Sequence, residues 1–404
     1  MTPDYKRNIK LIYLVDFTWM FLIIIPLIVP FFKSIGLGME QVYQVQAFFS
    51  ISILLLEIPS GYLSDLWGRK NTLVVAAFLH GLCFSLFPLV TNFWQLIALE
   101  FLMAVSVSLF SGTDVALLYD SMEELQKEGH VGPEFNSNRI MGNKMFSNQF
   151  GETLAALCAG ALAFMFTGLF IPLWANAVIS WLPFLISLKI IEPSREKPSR
   201  HEHKENFKEL YHILFKASPL VKLIVINTVV YGASSLLALW SFQDNWAKLG
   251  IPLWVFGPLW AALNLSVALF AKSAWWYEKK IGIRGSLVIV GILPVLGFFG
   301  MAANIGIIGI LFCFCFQITR GLGQVLLKDA LNMRINGKLR ASANSVSSLG
   351  TRGVFVLAGP LLGYLLDHYG EGVAHGTFSG AYMICYFVFM IPLLLKFKEL
   401  GPST

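Results

Sequence analysis

The sequence predicts an all-α membrane protein with twelve transmembrane helices in two pseudo-symmetric six-helix bundles. The chain is 56% hydrophobic and 13% charged, and its mean hydropathy is +0.66. A soluble domain carries about 25% charged residues. A bilayer core requires about 20 apolar residues per helical span, because each backbone polar group must find its partner within the segment. About twelve such stretches can be placed along the chain.

The predicted spans are separated mostly by short connections, as packed helical hairpins require. They lie near residues 9–32, 41–62, 71–90, 94–120, 140–166, 170–191, 219–244, 252–276, 284–303, 305–333, 341–366 and 376–397. Two connections are long, and the second of them begins EPSREKPSR. It divides the chain into an N-terminal bundle (1–191), a cytoplasmic linker (192–218) and a C-terminal bundle (219–404).

The distribution of Lys and Arg predicts the orientation, because positive residues stay on the cytoplasmic side. With both termini inside, the outer loops hold essentially Lys33 and Lys248, whereas the inner segments hold most of the other Lys and Arg residues, including Arg69, Lys70 and those of the central linker. We therefore expect a multi-pass protein of a bacterial-type cytoplasmic (inner) membrane. The asymmetry explains the net charge of +6 through contact with anionic lipid headgroups and without a nucleic-acid partner. A monomer is expected, and the five cysteines lack metal-ligand spacing, so no metal is expected.

An internal repeat supports the division into two bundles. Span 4 ends GTDVALLYD (112–120) and span 10 ends GLGQVLLKD (321–329), with the first glycine, both central leucines and the last aspartate in register. Gly151 in span 5 and Gly350 in span 11 are each followed, eight residues later, by Ala-Gly. The order of these matches predicts two parallel six-helix halves, as in transporters built by duplication.

The tight turn between spans 2 and 3 combines glycines with charged residues, which can remain solvated at the membrane surface. Its sequence is GYLSDLWGRKN. The residues that stand out are Gly61, Asp65, Gly68, Arg69 and Lys70. This arrangement resembles the signature loop of the major facilitator superfamily. With twelve spans and a basic central linker, the resemblance covers the whole chain, although Leu66 stands where members commonly have a basic residue.

The resemblance implies a conformational latch. In such transporters the loop aspartate, here Asp65, holds the N-terminal half to the start of helix 11. The loop arginine, here Arg69, pairs with an acid at the end of helix 4, here Asp120. By pseudo-symmetry, Asp329 should meet the second-half loop (278–284), which is a degenerate copy. Breaking and remaking these contacts would switch the halves between inward-open and outward-open states.

Acidic residues inside the predicted spans are candidates for proton coupling, because membrane depth makes charge expensive. Asp16 lies about two turns into span 1, and the neighbouring residues in the sequence offer its carboxylate no charged partner. A carboxylate in low dielectric favours its neutral form. The other candidates are Glu57, Asp114 and Glu152. A structural hydrogen bond is an equally good explanation of Glu57, and only one or two of the acids are expected to carry function.

Polar, aromatic and cationic residues within the spans are the candidates for substrate binding. They are Trp19, Gln149, Asn227, Tyr231, Trp240, Gln243, Gln317, Arg320 and Arg352. Arg320 and Arg352 have two interpretations. Each could neutralise an acid such as Asp16 or Glu152, or each could clamp an anionic substrate, which a planar guanidinium suits.

The sequence gives no indication of an enzyme or of a cofactor. It has no Walker-type phosphate loop and no nucleophile with a plausible base. We expect a secondary active transporter that moves a small organic solute by alternating access, with proton coupling. One alternative is a proton-driven multidrug efflux antiporter, although span 5 lacks the Gly-Pro pattern often found in such antiporters. The other is a transporter-like receptor that binds a solute without moving it.

Overall fold

The computed structural model describes residues 4–129, 137–193, 218–335 and 339–396, and this part of the chain is helical without strands. Most of the predicted linker (192–218) lies outside the described residues. The α-helices are α1 (Tyr5–Trp19), α2 (Ile28–Ser34), α3 (Met39–Trp67), α4 (Arg69–Leu86), α5 (Phe93–Phe110), α6 (Thr113–Lys127), α7 (Ser137–Phe166), α8 (Phe170–Ile179), α9 (Leu182–Ser187), α10 (Pro219–Lys248), α11 (Leu253–Ala302), α12 (Ile310–Asn332), α13 (Arg340–His368), α14 (Gly370–Cys385) and α15 (Ile391–Lys396). Short 3₁₀ turns cover Ile25–Leu27, Phe87–Leu89 and Gly306–Gly309, and a π-turn covers Tyr386–Met390.

The predicted all-α membrane fold is confirmed. Within the described residues, nine helical segments are long and apolar enough to cross a bilayer, and a tenth is α3, which bends by 49° at Pro59. Proline bends a helix because it lacks the N–H and clashes with the preceding turn. The long α11 holds two predicted spans, joined at Gly282, whose φ of 73° and ψ of 165° are not helical. The pattern is consistent with twelve spans.

The chain forms two compact units. The N-terminal unit comprises Met1–Leu37, Phe48–Pro198 and Ile251–Ala261, and the C-terminal unit comprises Gly38–Ala47, Ser199–Gly250 and Ala262–Thr404. Each unit therefore contains most of one predicted six-helix set and a short segment from the other set.

Two of the predicted spans in the N-terminal unit are broken rather than continuous. Span 1 is helical up to Trp19 in α1 and resumes in the 3₁₀ turn at Ile25. Span 4 breaks between α5 and α6 at Gly112, whose φ of 81° is left-handed and suits glycine. These breaks place Asp16 in the last turn of α1 and Asp114 in the first turn of α6. Discontinuous helices are where transporters place ion and substrate sites.

Close helix packing occurs at equivalent glycines of the two units. A Cβ at Gly151 of α7 would lie 3.1 Å from the carbonyl carbon of Phe17 in α1. A Cβ at Gly350 of α13 would lie 2.7 Å from Cγ2 of Val229 in α10. Both contacts therefore require glycine. The matched glycines make α1 and α10 structural equivalents, as the sequence repeat predicts for spans 1 and 7.

Candidate functional site

The turn between α3 and α4 is built around a bidentate helix cap. Gly68 has a φ of 92° and a ψ of 146°, a conformation open essentially only to glycine. The next two backbone N–H groups, of Arg69 and Lys70, donate to Oε1 and Oε2 of Glu192 at 2.8 and 2.6 Å. Helix N-termini present such unpaired donors and favour negative charge. Glu192, the first residue of the predicted linker, therefore holds the start of α4.

The predicted ion pair between Arg69 and Asp120 is present. The Arg69 guanidinium contacts the Asp120 carboxylate, and both side chains are largely shielded from solvent. Nη1 of Arg69 also donates to the carbonyl oxygen of Ala116 at 2.7 Å. Because both acceptors lie on α6, Arg69 fixes the start of α4 against the middle of α6.

The other latch candidates differ in their exposure and surroundings. Gly61 is exposed, and a Cβ there would meet no described atom within 4 Å, so no close helix approach occurs at this position. Asp65 is half-buried near the end of α3. Asp329 is exposed, and among the described residues it makes no ion pair with Lys279 or Arg284.

The expected pseudo-symmetric contact of Asp329 is therefore not formed, and the second loop shows why. In the first loop, Arg69 directly follows the glycine with positive φ. In the second loop, the residue after Gly282 is Ile283, so no arginine occupies that position. The two loops share a backbone conformation without sharing the ion pair.

A buried cluster of three charges lies in the N-terminal unit. Nζ of Lys144, on α7, lies 3.1 Å from Oδ1 of Asp16 and 2.6 Å from Oδ2 of Asp114. The side chains of Asp16, Asp114 and Lys144 are 0%, 6% and 11% exposed. One ammonium group thus bridges two carboxylates that the sequence predicted separately. We call these three residues the acid–lysine cluster.

The acid–lysine cluster gives Asp16 a partner that the sequence did not indicate. Neutralisation of Asp16 was one of the two interpretations of Arg320 and Arg352, and the structure pairs Asp16 with Lys144 inside the N-terminal unit. With all three groups ionised, the cluster has a net charge of −1 in a region shielded from water. One added proton makes it neutral, which a low-dielectric environment favours.

The two carboxylates of the cluster are in different electrostatic environments. Asp16 lies at the C-terminal end of α1, where the helix dipole disfavours negative charge, whereas Asp114 lies at the N-terminal end of α6, where the dipole favours it. Asp114 is also closer to Lys144. No described group donates a well-formed hydrogen bond to the Asp16 oxygens. Asp16 is therefore the carboxylate better placed to take up the proton.

The remaining acidic candidates make contacts with residues outside the acid–lysine cluster. Glu152, on α7, accepts a hydrogen bond of 3.4 Å from Nε1 of Trp260. Glu57 is half-buried next to the bend of α3 and makes no ion pair with any described residue. Neither shares a buried ammonium with a second carboxylate.

A cavity of about 310 Å³ lies within the C-terminal unit. Three of the nine substrate-binding candidates line it together, namely Tyr231 on α10, Arg320 on α12 and Arg352 on α13. Lys328, which did not stand out in the sequence, adds a third cation. No acidic residue occurs among the described residues that line the cavity. The cavity is therefore positively charged.

Trp19 and Asn227 serve packing instead. The Trp19 ring, which is 4% exposed, stacks on His80 and Phe110 with centroid distances of 4.2 and 3.8 Å. Nδ2 of Asn227 donates to the carbonyl oxygens of Leu223 and Phe389 at 2.8 and 3.0 Å. Trp19 thus belongs to the apolar core, and Asn227 connects α10 to the π-turn.

The last four substrate-binding candidates do not line the cavity. Gln243 and Gln317 are each 1% exposed, while Gln149 and Trp240 are half-buried. Their role in binding stays a prediction.

Comparison with known proteins gives the family. The family model described as Major Facilitator Superfamily matches residues 11–352. The chain belongs to the major facilitator superfamily. Membership of this superfamily agrees with the multi-span helical fold and with the loop at residues 61–71. A comparison of the sequence with curated proteins gave no match.

Solved structures share the superfamily fold at low sequence identity. The nucleoside transporter NupG has a TM-score of 0.76 at 14% identity, over 96% of this chain and 99% of that one. A bacterial homolog of the human lysosomal transporter Spinster, inward-facing and unoccupied, has a TM-score of 0.71 at 13% identity, over 98% and 96%. A D-xylose-proton symporter has a TM-score of 0.67 at 13% identity, over 96% and 98%. At such identities the likeness shows the fold alone.

Three site residues of this superfamily member were not predicted from the sequence: Lys144, Glu192 and Lys328. Lys144 lies close to the start of a predicted span, where a lysine is usually a border residue. Glu192 opens the linker, and Lys328 stands beside Asp329 at the end of span 10. A lysine four residues inside a span in a chain with several intramembrane acids was the available signal for Lys144.

Proposed function

We propose that this chain is a proton-coupled secondary active transporter, which moves a small organic solute by alternating access. It would work in a bacterial-type cytoplasmic membrane with both termini inside. The observation that carries the proposal is the acid–lysine cluster of Asp16, Lys144 and Asp114. A buried group of net charge −1 that a single proton neutralises is a proton-binding site by its chemistry.

The cluster has a direct connection to the latch. Asp114 and Asp120 lie on the same helix, α6, six residues or about 9 Å apart. When Asp16 is protonated, Lys144 keeps only Asp114 as an ionised partner. The ammonium group then moves toward α6, and the attraction between α7 and α1 weakens. Arg69 holds the middle of α6 through Asp120, so a shift of α6 reaches the signature loop.

Solute binding is supported by the cavity of the C-terminal unit. Its positive lining disfavours the lipophilic cations that a multidrug antiporter would export, because like charges repel in a low dielectric. The retained Arg69–Asp120 ion pair disfavours a receptor that has lost the switching machinery. The fold is shared with a D-xylose-proton symporter, so proton symport of a small polar solute is compatible with it.

The proposal is tested by solute uptake into proteoliposomes. A radiolabelled solute that raises the melting temperature of the purified protein is offered with and without an inwardly directed proton gradient. Asp16→Asn imitates the protonated cluster and should reduce gradient-driven uptake at least tenfold. It should retain solute counterflow, which needs no net proton movement.

The matched control is Glu57→Gln, which neutralises another intramembrane acid outside the cluster. It should leave gradient-driven uptake near that of the parent protein. Full gradient dependence in Asp16→Asn would refute the assignment of the proton site. Loss of counterflow together with uptake would show a defect in transport rather than in coupling.

A further inference from the structure

We infer that the cavity in the C-terminal unit binds a small organic anion, with the acidic group held between Arg320 and Arg352. The inference rests on the proposed function, which leaves the charge of the solute open. Guanidinium groups suit carboxylate and phosphate oxygens, since their N–H donors match both in geometry and charge. The anion is therefore a carboxylate or a phosphate ester.

The two arginines lie at the same depth in the unit. Arg320 precedes the C-terminal end of α12 by twelve residues, and Arg352 follows the N-terminal end of α13 by twelve, about 18 Å in each helix. Those helix ends are tied together, because Nε of Arg340 donates to the carbonyl oxygen of Asn332 at 2.8 Å. The guanidinium groups thus belong to one level of the cavity, deep inside the helices.

The positive charge of the cavity is not compensated by an acid in its lining. Neither Arg320 nor Lys328 makes an ion pair or hydrogen bond with another described residue. The two lie on one face of α12, eight residues apart, near enough for their charges to repel. Arg320 lies in the middle of α12, and an uncompensated cation at membrane depth is expensive and marks a substrate pathway. An anionic solute would offset that cost when it binds.

A buried hydroxyl group supplies an independent indication of a polar ligand. Tyr231 lines the cavity and is 1% exposed, yet its hydroxyl has no hydrogen-bond partner among the described residues. A buried donor without an acceptor costs free energy. An anionic oxygen at the level of the arginines would accept a hydrogen bond from it.

The rest of the lining indicates an organic ligand rather than a bare inorganic ion. Leu236, Leu239 and Leu327 form apolar parts of the wall. A carbon skeleton would pack against these side chains while the acidic group meets the arginines. The volume of about 310 Å³ suits a small metabolite.

The test compares matched charged and neutral probes on the purified full chain in detergent. The pairs are succinate with succinamide and glycerol 3-phosphate with glycerol, and inorganic phosphate is added as a free anion. Ionic strength is held constant, because salt screens exposed charges. At least one organic anion should raise the melting temperature with a saturable dose response, while its neutral partner should not. Comparison of the two pairs tells a carboxylate ligand from a phosphate ligand.

Three variants assign the effect to the cavity. Arg320→Gln and Arg352→Gln should each weaken binding of the stabilising anion at least tenfold, and Tyr231→Phe should weaken it severalfold. Arg284→Gln is the charge-matched control, because Arg284 is exposed and lies outside the cavity of the same unit. It should bind as the parent does. Gel filtration and the melting temperature without ligand report folding, and Arg320→Lys keeps the charge if Arg320→Gln does not fold.

Several results would overturn the inference. They are equal stabilisation by the neutral partner, a tenfold loss in Arg284→Gln as well, stabilisation by inorganic phosphate equal to that by the organic anions, and no stabilisation by any anion. The assay needs no proton gradient. Failure of anion binding with intact coupling through Asp16 would therefore remove only the substrate class, and anion binding without gradient dependence would remove only the proton coupling.

Discussion

The two units share a short sequence repeat but arrange their charged side chains in different ways. In the N-terminal unit three positions hold Asp16, Asp114 and Lys144, which compensate one another. The equivalent positions of the C-terminal unit follow when the matched glycines are aligned and Phe17 is paired with Val229. They hold Thr228, Gly323 and Ala343. Small neutral residues therefore stand where the first unit has a charge cluster. The C-terminal unit instead places Arg320, Lys328 and Arg352 around a cavity, to which Thr228 and Gly323 also contribute.

This difference teaches that duplicated halves can divide a task. A cluster of two carboxylates and one ammonium group can exchange a proton without a ligand, because its charge alternates between −1 and neutral. A cavity that is lined by cations, with no acid among its described lining residues, attracts an anion from outside. Under the proposed function, the N-terminal unit handles the proton and the C-terminal unit handles the solute.

The largest expected effect on stability comes from replacing one intramembrane cation in each unit, Lys144 in the N-terminal unit and Arg320 in the C-terminal unit. Lys144→Met leaves two buried carboxylates without a partner and should cost about 3–5 kcal/mol of stability. Arg320→Met removes a cation that has no partner among the described residues and should leave the ligand-free protein as stable or more stable. Melting temperatures of the purified variants measure both.

Lys127→Met is the control for that comparison, because Lys127 is an exposed lysine of the N-terminal unit. Lys127→Met should leave the melting temperature almost unchanged, because exposed ion pairs contribute little to stability. Equal destabilisation by Lys144→Met and Arg320→Met would mean that both units compensate their charges internally. The contrast between the units would then be lost.

The next effect separates the two carboxylates of the acid–lysine cluster. Asp114→Asn removes the closer partner of Lys144 from a favourable helix N-terminus and should cost about 1–2 kcal/mol more than Asp16→Asn. Infrared difference spectra between low and high pH provide the measurement. The carboxylic acid C=O band of the cluster should vanish in Asp16→Asn and persist in Asp114→Asn. The reverse result would make Asp114 the proton acceptor.

A smaller difference in stability is expected between glycine substitutions in the loops of the two units. Gly68 and Gly282 both have backbone conformations that are open essentially only to glycine, so alanine at either position should cost about 1–3 kcal/mol. A Cβ at Gly68 would also lie 3.1 Å from Oε1 of Glu192, whereas a Cβ at Gly282 would meet no described atom within 4 Å. Gly68→Ala should therefore lower the melting temperature more than Gly282→Ala. Equal shifts in melting temperature would show that the Glu192 carboxylate can move away from the added Cβ without loss of stability.

The smallest expected effect concerns the cap itself. Glu192→Gln keeps one acceptor oxygen but loses the second acceptor and the negative charge at the start of α4. The cost should be about 1 kcal/mol, as for the loss of a helix cap. Urea titration or thermal melting measures it, with Glu128→Gln as a control in an exposed turn of the same unit. A larger loss than in Gly68→Ala would contradict this order.

Much of the architecture was predictable, because the bilayer restricts a chain to a few solutions. Apolar spans, charge bias and the repeat led to the all-α fold, and the loop sequence led to the Arg69–Asp120 contact. Asp16, Asp114, Arg320 and Arg352 stood out because charge is expensive at membrane depth.

The partners of these residues were less predictable, because they depend on which way each helix faces. An apolar span shows little periodicity, so Lys144 could not be directed toward Asp16 from sequence. The break after Trp19 falls in the apolar stretch MFLIIIP, which contains no glycine. The cap by Glu192 joins residues more than 120 positions apart. Tertiary contacts of this kind leave no local pattern.

The Glu192 cap also has a consequence for the timing of amide exchange. The first amides of a helix at a membrane surface normally exchange with solvent deuterium within moments, because no backbone carbonyl covers them. In this protein the amides of Arg69 and Lys70 are covered by a carboxylate from the far end of the N-terminal bundle. The exchange rate of these two amides would therefore equal the rate at which the Glu192 carboxylate dissociates from them. Mass spectrometry of the 61–71 peptide could then follow the opening of the loop in time.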